Sequence, residues 1–405
     1  MIQSRTQVSC ILLFFLCLFV YTRGLNLHGF EYRDDEIFYY KSTQEMLVTG
    51  NYLSPKYFGE DRFQKPILYY WLILLCYQLF GPTWFAARFT AVIFAALMVC
   101  LTWRMAYRLF DRRTANVSAA ILMTIPLFFR HAKNAVPDMP LTFFIVWALY
   151  CGMELILAAN DKNLKKISWY NTWFFVACGL GFMIKGFTAL VIPILTMIIF
   201  AGMTKQRGVL KHMRFGRGFL IFLIIVLPWF LYMIQVHGID YLRYMLVKET
   251  KVRVISDVVG NPVIFKINEF FGHVLFYLRY LFSFFAPWSL LLIGAIPLAI
   301  RKARTADNGM QGLLFLLVWF TVVFCFFSSL YFIISHYLLA LVVPTAILIG
   351  YFLVYPFNNR SVERWAVLIP KHWSPPHSQN RAREYRCPWS IYHKYRPLES
   401  SPADN

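Results

Sequence analysis

The chain has 405 residues, 59% hydrophobic, 19% aromatic and only 15% charged. Soluble domains carry about 25% charged residues, so this composition excludes an ordinary soluble enzyme and points to lipid as solvent. The net charge of +20 does not signal nucleic acid, because Lys and Arg cluster in short loops between apolar runs and no recognition motif accompanies them.

Apolar runs near the ~20-residue length of a bilayer span recur along the chain. The predicted fold class is therefore all-α, a polytopic membrane helical bundle of about ten spans. The alternating ~10-residue segments of a membrane β-barrel are not seen. The eight cysteines lie mostly inside apolar runs, with no CxxC and no metal-ligand spacing. They read as small buried hydrophobes.

In chain order, the first span covers about 8–25. "YTRG" after it is a poor cleavage site, so the segment reads as an uncleaved helix. A polar, aromatic segment follows over 26–65. It holds "YRDDEIFYY", three successive carboxylates (Asp34, Asp35, Glu36) in a basic chain. "DEIFYYKSTQEMLVTG" has an amphipathic helical pattern closed by Gly50-Asn51. Asp34 or Asp35 would cap that helix, and Glu36 would favour its positive end. Capping does not account for acid held near a membrane surface among aromatics, where ionisable groups are costly and usually functional.

"FQKPILYYW" comes next. Pro66 suits the first helical position, which sets Lys65 at a helix N-terminus. A cation beside outward backbone N–H groups suits a phosphate; a snorkelling lysine is the alternative. The run 66–81 reads as a helix lying at the interface, with Tyr69, Tyr70 and Trp71 at headgroup level. Further spans are expected at 84–107, 115–131, 139–159, 170–184, 187–203, 218–236, 280–300, 312–330 and 336–355. This layout sends "RMAYRLFDRR", "NDKNLKK", "TKQRGVLKHMRFGRG" and "RKAR" to the cytoplasm. The acidic loop, "NAVPDMPL", "GLGFMIKGF", "YLRYMLVKET" and "ISHY" fall on the opposite face. Taken alone, Asp138 reads as a helix cap, Lys185 as a charge in a tight outer turn, Arg243 as part of a surface helix and His336 as weak evidence. Together they place acids and cations on one face of the bundle.

The domain reading is one transmembrane domain over 1–357, with a catalytic outer loop at 26–81 and a second outer loop at 237–279. A polar tail, 358–405, is expected to be cytoplasmic, and disordered or truncated.

These motifs resemble the bacterial polyprenyl-phosphate-sugar-dependent glycosyltransferases, which include 4-amino-4-deoxy-L-arabinose lipid A transferases and protein O-mannosyltransferases of the GT-C fold. The resemblance rests on Asp35-Glu36 with Tyr39-Tyr40, "EML" and Gly50, "FQKPILYYW", "AARF", "AVPDMPLTFF", "GLGFMIKG", "LPWFLYMI", "YLRYMLVKE" and "APWSLL", in family order over about residues 1–355. It implies an inverting transferase of the bacterial inner membrane with its site facing the periplasm. The implied donor is an undecaprenyl-phosphate-type sugar lipid. The implied acceptor is lipid A, another glycolipid or a protein. Carried over, Asp35 is the catalytic aspartate, Asp138 the second acid, with Glu36 beside them. Lys65 meets the donor phosphate, aided by Lys185 and Arg243; Tyr39 and Tyr69 contact substrate. Some arabinose-transferase relatives carry Glu before the Pro-flanked lysine and hold a metal there. This chain has Gln64, so no metal and no other cofactor is expected. Family members often continue through further spans and a periplasmic domain, so a shortened, inactive assembly partner is one alternative. A flippase of lipid-linked sugars is the other; it would need charges near the midplane and paired broken helices.

Overall fold

The computed structural model describes residues 2–26, 34–205, 207–245, 267–303, 310–331 and 333–358. Helix α1 (Ile2–Thr22) leads to α2 (Asp34–Thr49), and a small antiparallel hairpin follows, β1 (Lys56–Tyr57) with β2 (Glu60–Asp61). Then come α3 (Leu68–Phe80), α4 (Trp84–Leu109), α5 (Arg112–Thr124), α6 (Pro126–His131), α7 (Asp138–Asn160), α8 (Leu164–Lys185) and α9 (Thr188–Met203). The rest is α10 (Arg207–His212), α11 (Phe215–His237), α12 (Ile239–Arg243), α13 (Ile267–Phe284), α14 (Ser289–Ala303), α15 (Met310–Ser328), a 3-10 turn (Ser335–Leu341) and α16 (Val342–Asn358). Met1–Tyr355 form one compact unit. Residues 246–266 of the segment 237–279 and residues 359–405 of the tail lie outside the described residues.

Local chemistry sets the helix starts. Thr83, Asp111 and Asn163 each accept a hydrogen bond from the backbone N–H three residues on, opening α4, α5 and α8. Gly50 takes φ +70° directly after α2, as the "TGN" sequence predicts.

The fold class is as read, and not every one of the ten expected spans is matched by a bilayer-length helix among the described residues. Among the described residues, six helices are long and apolar enough to cross a bilayer, or seven if one bent pair counts as a span: α4, α7, α8, α11, 311–328 within α15, and 335–355. The expected span 115–131 is broken at Ile125-Pro126, where Ile125 turns extended. Proline supplies no N–H and pushes its predecessor out of helical geometry. The expected span 280–300 is a pair, 270–284 with α14, bent by 114° across the Pro287 region. Residues 7–22, α3 and α9 are shorter apolar helices. Cys325 is the one exposed cysteine among those described.

The core runs through α4, α7 and α8. Helix α7 packs on α8, α4 and α9. Gly181 permits this: a Cβ there would sit 2.6 Å from the Cβ of Ala189 on α9 and 3.0 Å from that of Phe144 on α7. Gly186, at φ +93°, ends α8 and turns the chain into α9. That turn leaves Lys185 beside the first residue of α7.

Candidate active site

Helix α2 carries Asp35, Glu36 and Tyr39. Successive helical residues point about 100° apart, so Asp35 and Glu36 face different surroundings, while Asp35 and Tyr39 share a face. Asp35 is exposed and lines a cavity of about 340 Å³ with Tyr39, Arg62, Gln64 and Lys65. The hairpin forms the opposite wall. Gly59 N–H donates to Glu45 Oε1 at 3.0 Å, which pins the hairpin to α2. Two indoles fix the segment leading into it: Trp71 donates to Tyr52 O and Trp229 to Leu53 O.

Two cations stand in this cavity. Lys65 is half-buried and donates to Gln64 O at 2.8 Å. It precedes α3 by three residues rather than opening it, because Pro66 and Ile67 lead in ahead of Leu68. Arg62 is buried; its Nε donates to Tyr70 Oη at 2.9 Å, and its guanidinium lies 4.3 Å from the Phe38 ring centroid and 5.4 Å from that of Tyr39. Sequence reading passed over Arg62. Its signal was an arginine three places before Lys65 in an aromatic stretch. Burial, then the Tyr70 hydroxyl, hold the Tyr39 phenol well above its ordinary pKa, so it is neutral.

Glu36 belongs to the wall behind the cavity. It forms a two-pronged ion pair with Arg88 of α4, at 3.0 and 3.2 Å, and accepts the backbone N–H of Ala135. Arg88 also donates to Leu25 O at 2.8 Å. One buried pair thus ties α2, α4, the end of the first helix and the turn before α7. Arg88 stood in "AARF", an arginine inside an apolar run, which is the signal for a buried partner.

Asp138 is buried at the first residue of α7 and makes no capping bond. The capping expectation fails because its Oδ1 accepts from Lys185 Nζ at 2.6 Å. His336 Nε2 lies 3.6 Å away, and the His131 and His336 rings are 5.8 Å apart. Asp138 does not line the Asp35 cavity. Tyr39 and Tyr69, edge-to-face at 5.0 Å, lie in the wall, and Tyr39 feels both Asp35 and Asp138. Tyr69 and Tyr70 are fully buried in protein; with α3 packed on α2, α4 and α8, they do not face headgroups. Arg243 is apart, exposed and paired with Asp240 at 2.9 Å. His237, also passed over, meets Ser54 Oγ at 2.8 Å and Asp61 at 3.4 Å, fastening α11 to the hairpin.

Glu60 and Asp61 of the hairpin line the cavity together with Asp35, but among the described residues no three His, Cys, Asp or Glu side chains are placed to hold a metal ion. Gln64 offers only a neutral amide to the cavity. These residues do not fit a metal.

Fold and cavity define a polytopic helical membrane protein that gathers three carboxylates and two cations around one cavity. Residues 64–232 match the family model described as dolichyl-phosphate-mannose-protein mannosyltransferase. The chain is 31% identical over 338 residues to undecaprenyl phosphate-alpha-4-amino-4-deoxy-L-arabinose arabinosyl transferase 1 of Pseudomonas fluorescens, covering 82% of this chain and 57% of that protein. Undecaprenyl phosphate-alpha-4-amino-4-deoxy-L-arabinose arabinosyl transferase 2 of Proteus mirabilis is 30% identical, over 86% of this chain and 60% of its own length. ArnT from Cupriavidus metallidurans, crystallised with undecaprenyl phosphate, superposes with TM-score 0.73 at 21% identity, over 88% of this chain and 61% of that one. The Archaeoglobus fulgidus oligosaccharyltransferase superposes at 0.56 with 13% identity, over 89% of this chain and 52% of its own. These matches bear out the resemblance to the polyprenyl-phosphate-sugar-dependent glycosyltransferases. The chain spans under two-thirds of the length of each of these four proteins.

Proposed function

We propose that the chain is an integral-membrane glycosyltransferase moving a sugar from a polyprenyl-phosphate donor to a hydroxyl on lipid A, another glycolipid or a protein. The observation that carries this reading is the cavity itself, where exposed Asp35 shares about 340 Å³ with Lys65 and Arg62. Transfer is inverting. Asp35 takes the proton of the acceptor hydroxyl as its oxygen attacks the anomeric carbon. The bond from that carbon to the phosphate oxygen breaks, and the lipid phosphate leaves with the electron pair. Lys65 and Arg62 offset the charge left on it. Tyr39 orients the donor from the wall. Asp138, held by Lys185, is a positioning residue that fixes the ends of α7 and α8 behind that wall.

The cavity faces the periplasm of a bacterial inner membrane in this reading. The basic loops at the other end of the bundle support that orientation. A flippase reading would need charges near the midplane, whereas Asp35 and Asp138 lie toward one end of the bundle and Glu154 toward the other. The names of the relatives favour an amino-arabinose-type donor and lipid A. Mass spectrometry of lipid A and envelope glycoconjugates, with and without the protein, is the test. One sugar should vanish without it and return with the wild-type chain but not with Asp35→Asn. Identical envelopes overturn the proposal.

A further inference from the structure

The opposite end of α7 holds a second polar cluster that sugar transfer does not use. Glu154 lies 16 residues beyond Asp138, about 24 Å along the helix, and is only 5% exposed. Two arginines one turn apart on α4 converge on it. Arg108 Nε donates to Glu154 Oε1 at 3.1 Å. Arg104 Nε donates to Tyr150 Oη at 2.7 Å, and Tyr150 Oη donates to the same Glu154 oxygen at 3.2 Å.

Three facts separate this cluster from ordinary snorkelling arginines. Two guanidinium charges face one carboxylate, which leaves one positive charge unmatched. Among the described residues, the hydrogen bonds of each arginine use Nε alone. Both Nη groups of each fork thus remain for another acceptor, and both residues are exposed. A snorkelling arginine, finally, needs no buried carboxylate to aim it, whereas here Glu154 and Tyr150 fix both planes. An oriented pair of guanidinium forks with surplus charge is a phosphate receptor.

Arg104 and Arg108 occupy the last turns of a bilayer-length helix. We infer that Arg104 and Arg108, aimed by Tyr150 and Glu154, form a binding site for the phosphate of an anionic phospholipid headgroup. The site serves the leaflet opposite the Asp35 cavity. It lets the bundle take up anionic lipid as a stabilising ligand, independently of sugar transfer.

The test uses the full chain in nanodiscs of phosphatidylcholine, with or without phosphatidylglycerol. Readouts are the thermal unfolding midpoint and lipid adducts in native mass spectrometry. Phosphatidylglycerol should raise the midpoint of the wild-type chain and leave retained adducts, and R104Q/R108Q should lose both effects. R104K/R108K keeps the charge without the fork and should lose most of the shift; this settles the matter if the first variant does not fold. E154Q is the sharpest arm. It makes the cluster more positive, so diffuse charge attraction predicts stronger binding, whereas an aimed site predicts weaker binding. A retained shift in the lysine variant, or a larger one in E154Q, overturns the inference. Inorganic phosphate at millimolar concentration in pure phosphatidylcholine should give no shift. A shift equal to that of the lipid would reassign the site to a soluble anion.

Discussion

Asp35 and Glu36 are adjacent in sequence and work in opposite regions. Asp35 stands exposed in an open cavity that it shares with Lys65, Arg62, Glu60 and Asp61. Glu36, one residue on, is sealed in the wall with its oxygens taken by Arg88 and the Ala135 amide. The Asp138–Lys185 pair belongs to the sealed region too, with both side chains about a tenth exposed. In the proposed mechanism the difference separates reacting groups from holding groups. A carboxylate whose acceptor capacity is already used has little left for substrate, and one facing open volume has everything left. The two regions should therefore respond differently to loss of charge.

The largest effect is expected at Asp35. Asp35→Asn should lower transfer by about 10²–10⁴-fold, the usual share of a general base, while the unfolding midpoint in detergent hardly moves. Near-wild-type transfer would remove Asp35 from the base role.

Glu36→Gln inverts that pattern. Leaving Arg88 buried without its partner should cost about 3–5 kcal/mol, read as a lower unfolding midpoint, with activity falling in step. Glu36→Gln combined with Arg88→Gln should recover part of the stability, because neither charge is then stranded. A stable, inactive Glu36→Gln would instead place Glu36 among the reacting groups and erase the comparison.

Lys65→Ala comes third, with kcat/KM for the lipid-phosphate donor down about 10²-fold. Lys65→Arg should restore part of it, since the charge is kept. Equal loss with Lys65→Arg and Lys65→Ala would mean that position, rather than charge, is what Lys65 supplies.

How much of this was legible follows from how far apart the partners lie. The acidic helix, its glycine stop and the apolar spans are local patterns, and they read directly. Asp35 and Lys65 could be grouped because they flank one polar segment. The burial of Glu36 could not be read, because Arg88 arrives from 52 positions away. Nor could the fate of Asp138: a residue before Met139-Pro140 looks like a cap, and only the α8–α9 turn brings Lys185 to it. Two of the expected spans, 115–131 and 280–300, are interrupted for one reason. Hydropathy windows average across Pro126 and Pro287, whereas backbone geometry does not.

Tyr39 tests the boundary between the two regions, and its effect should be the smallest. Its ring is buried in the wall, yet the residue lines the cavity. Burial first, then the neighbouring Tyr70, raise its pKa well above 10. The folded state thus favours the neutral phenol. Tyr39→Phe removes a neutral hydroxyl only, so a few-fold weaker donor KM and about 1 kcal/mol or less of stability are expected. Transfer between about pH 6 and pH 9 should keep its profile, because no ionisation of Tyr39 falls in that range. The sign on the alkaline side follows from the raised value. The stabilisation is present below the unfolded pKa of about 10 and is lost as pH climbs past it. Wild-type stability should fall there, and Tyr39→Phe should fall less steeply. A pH–rate profile displaced by Tyr39→Phe would make the phenol a proton-transfer group and move the wall into the reacting region.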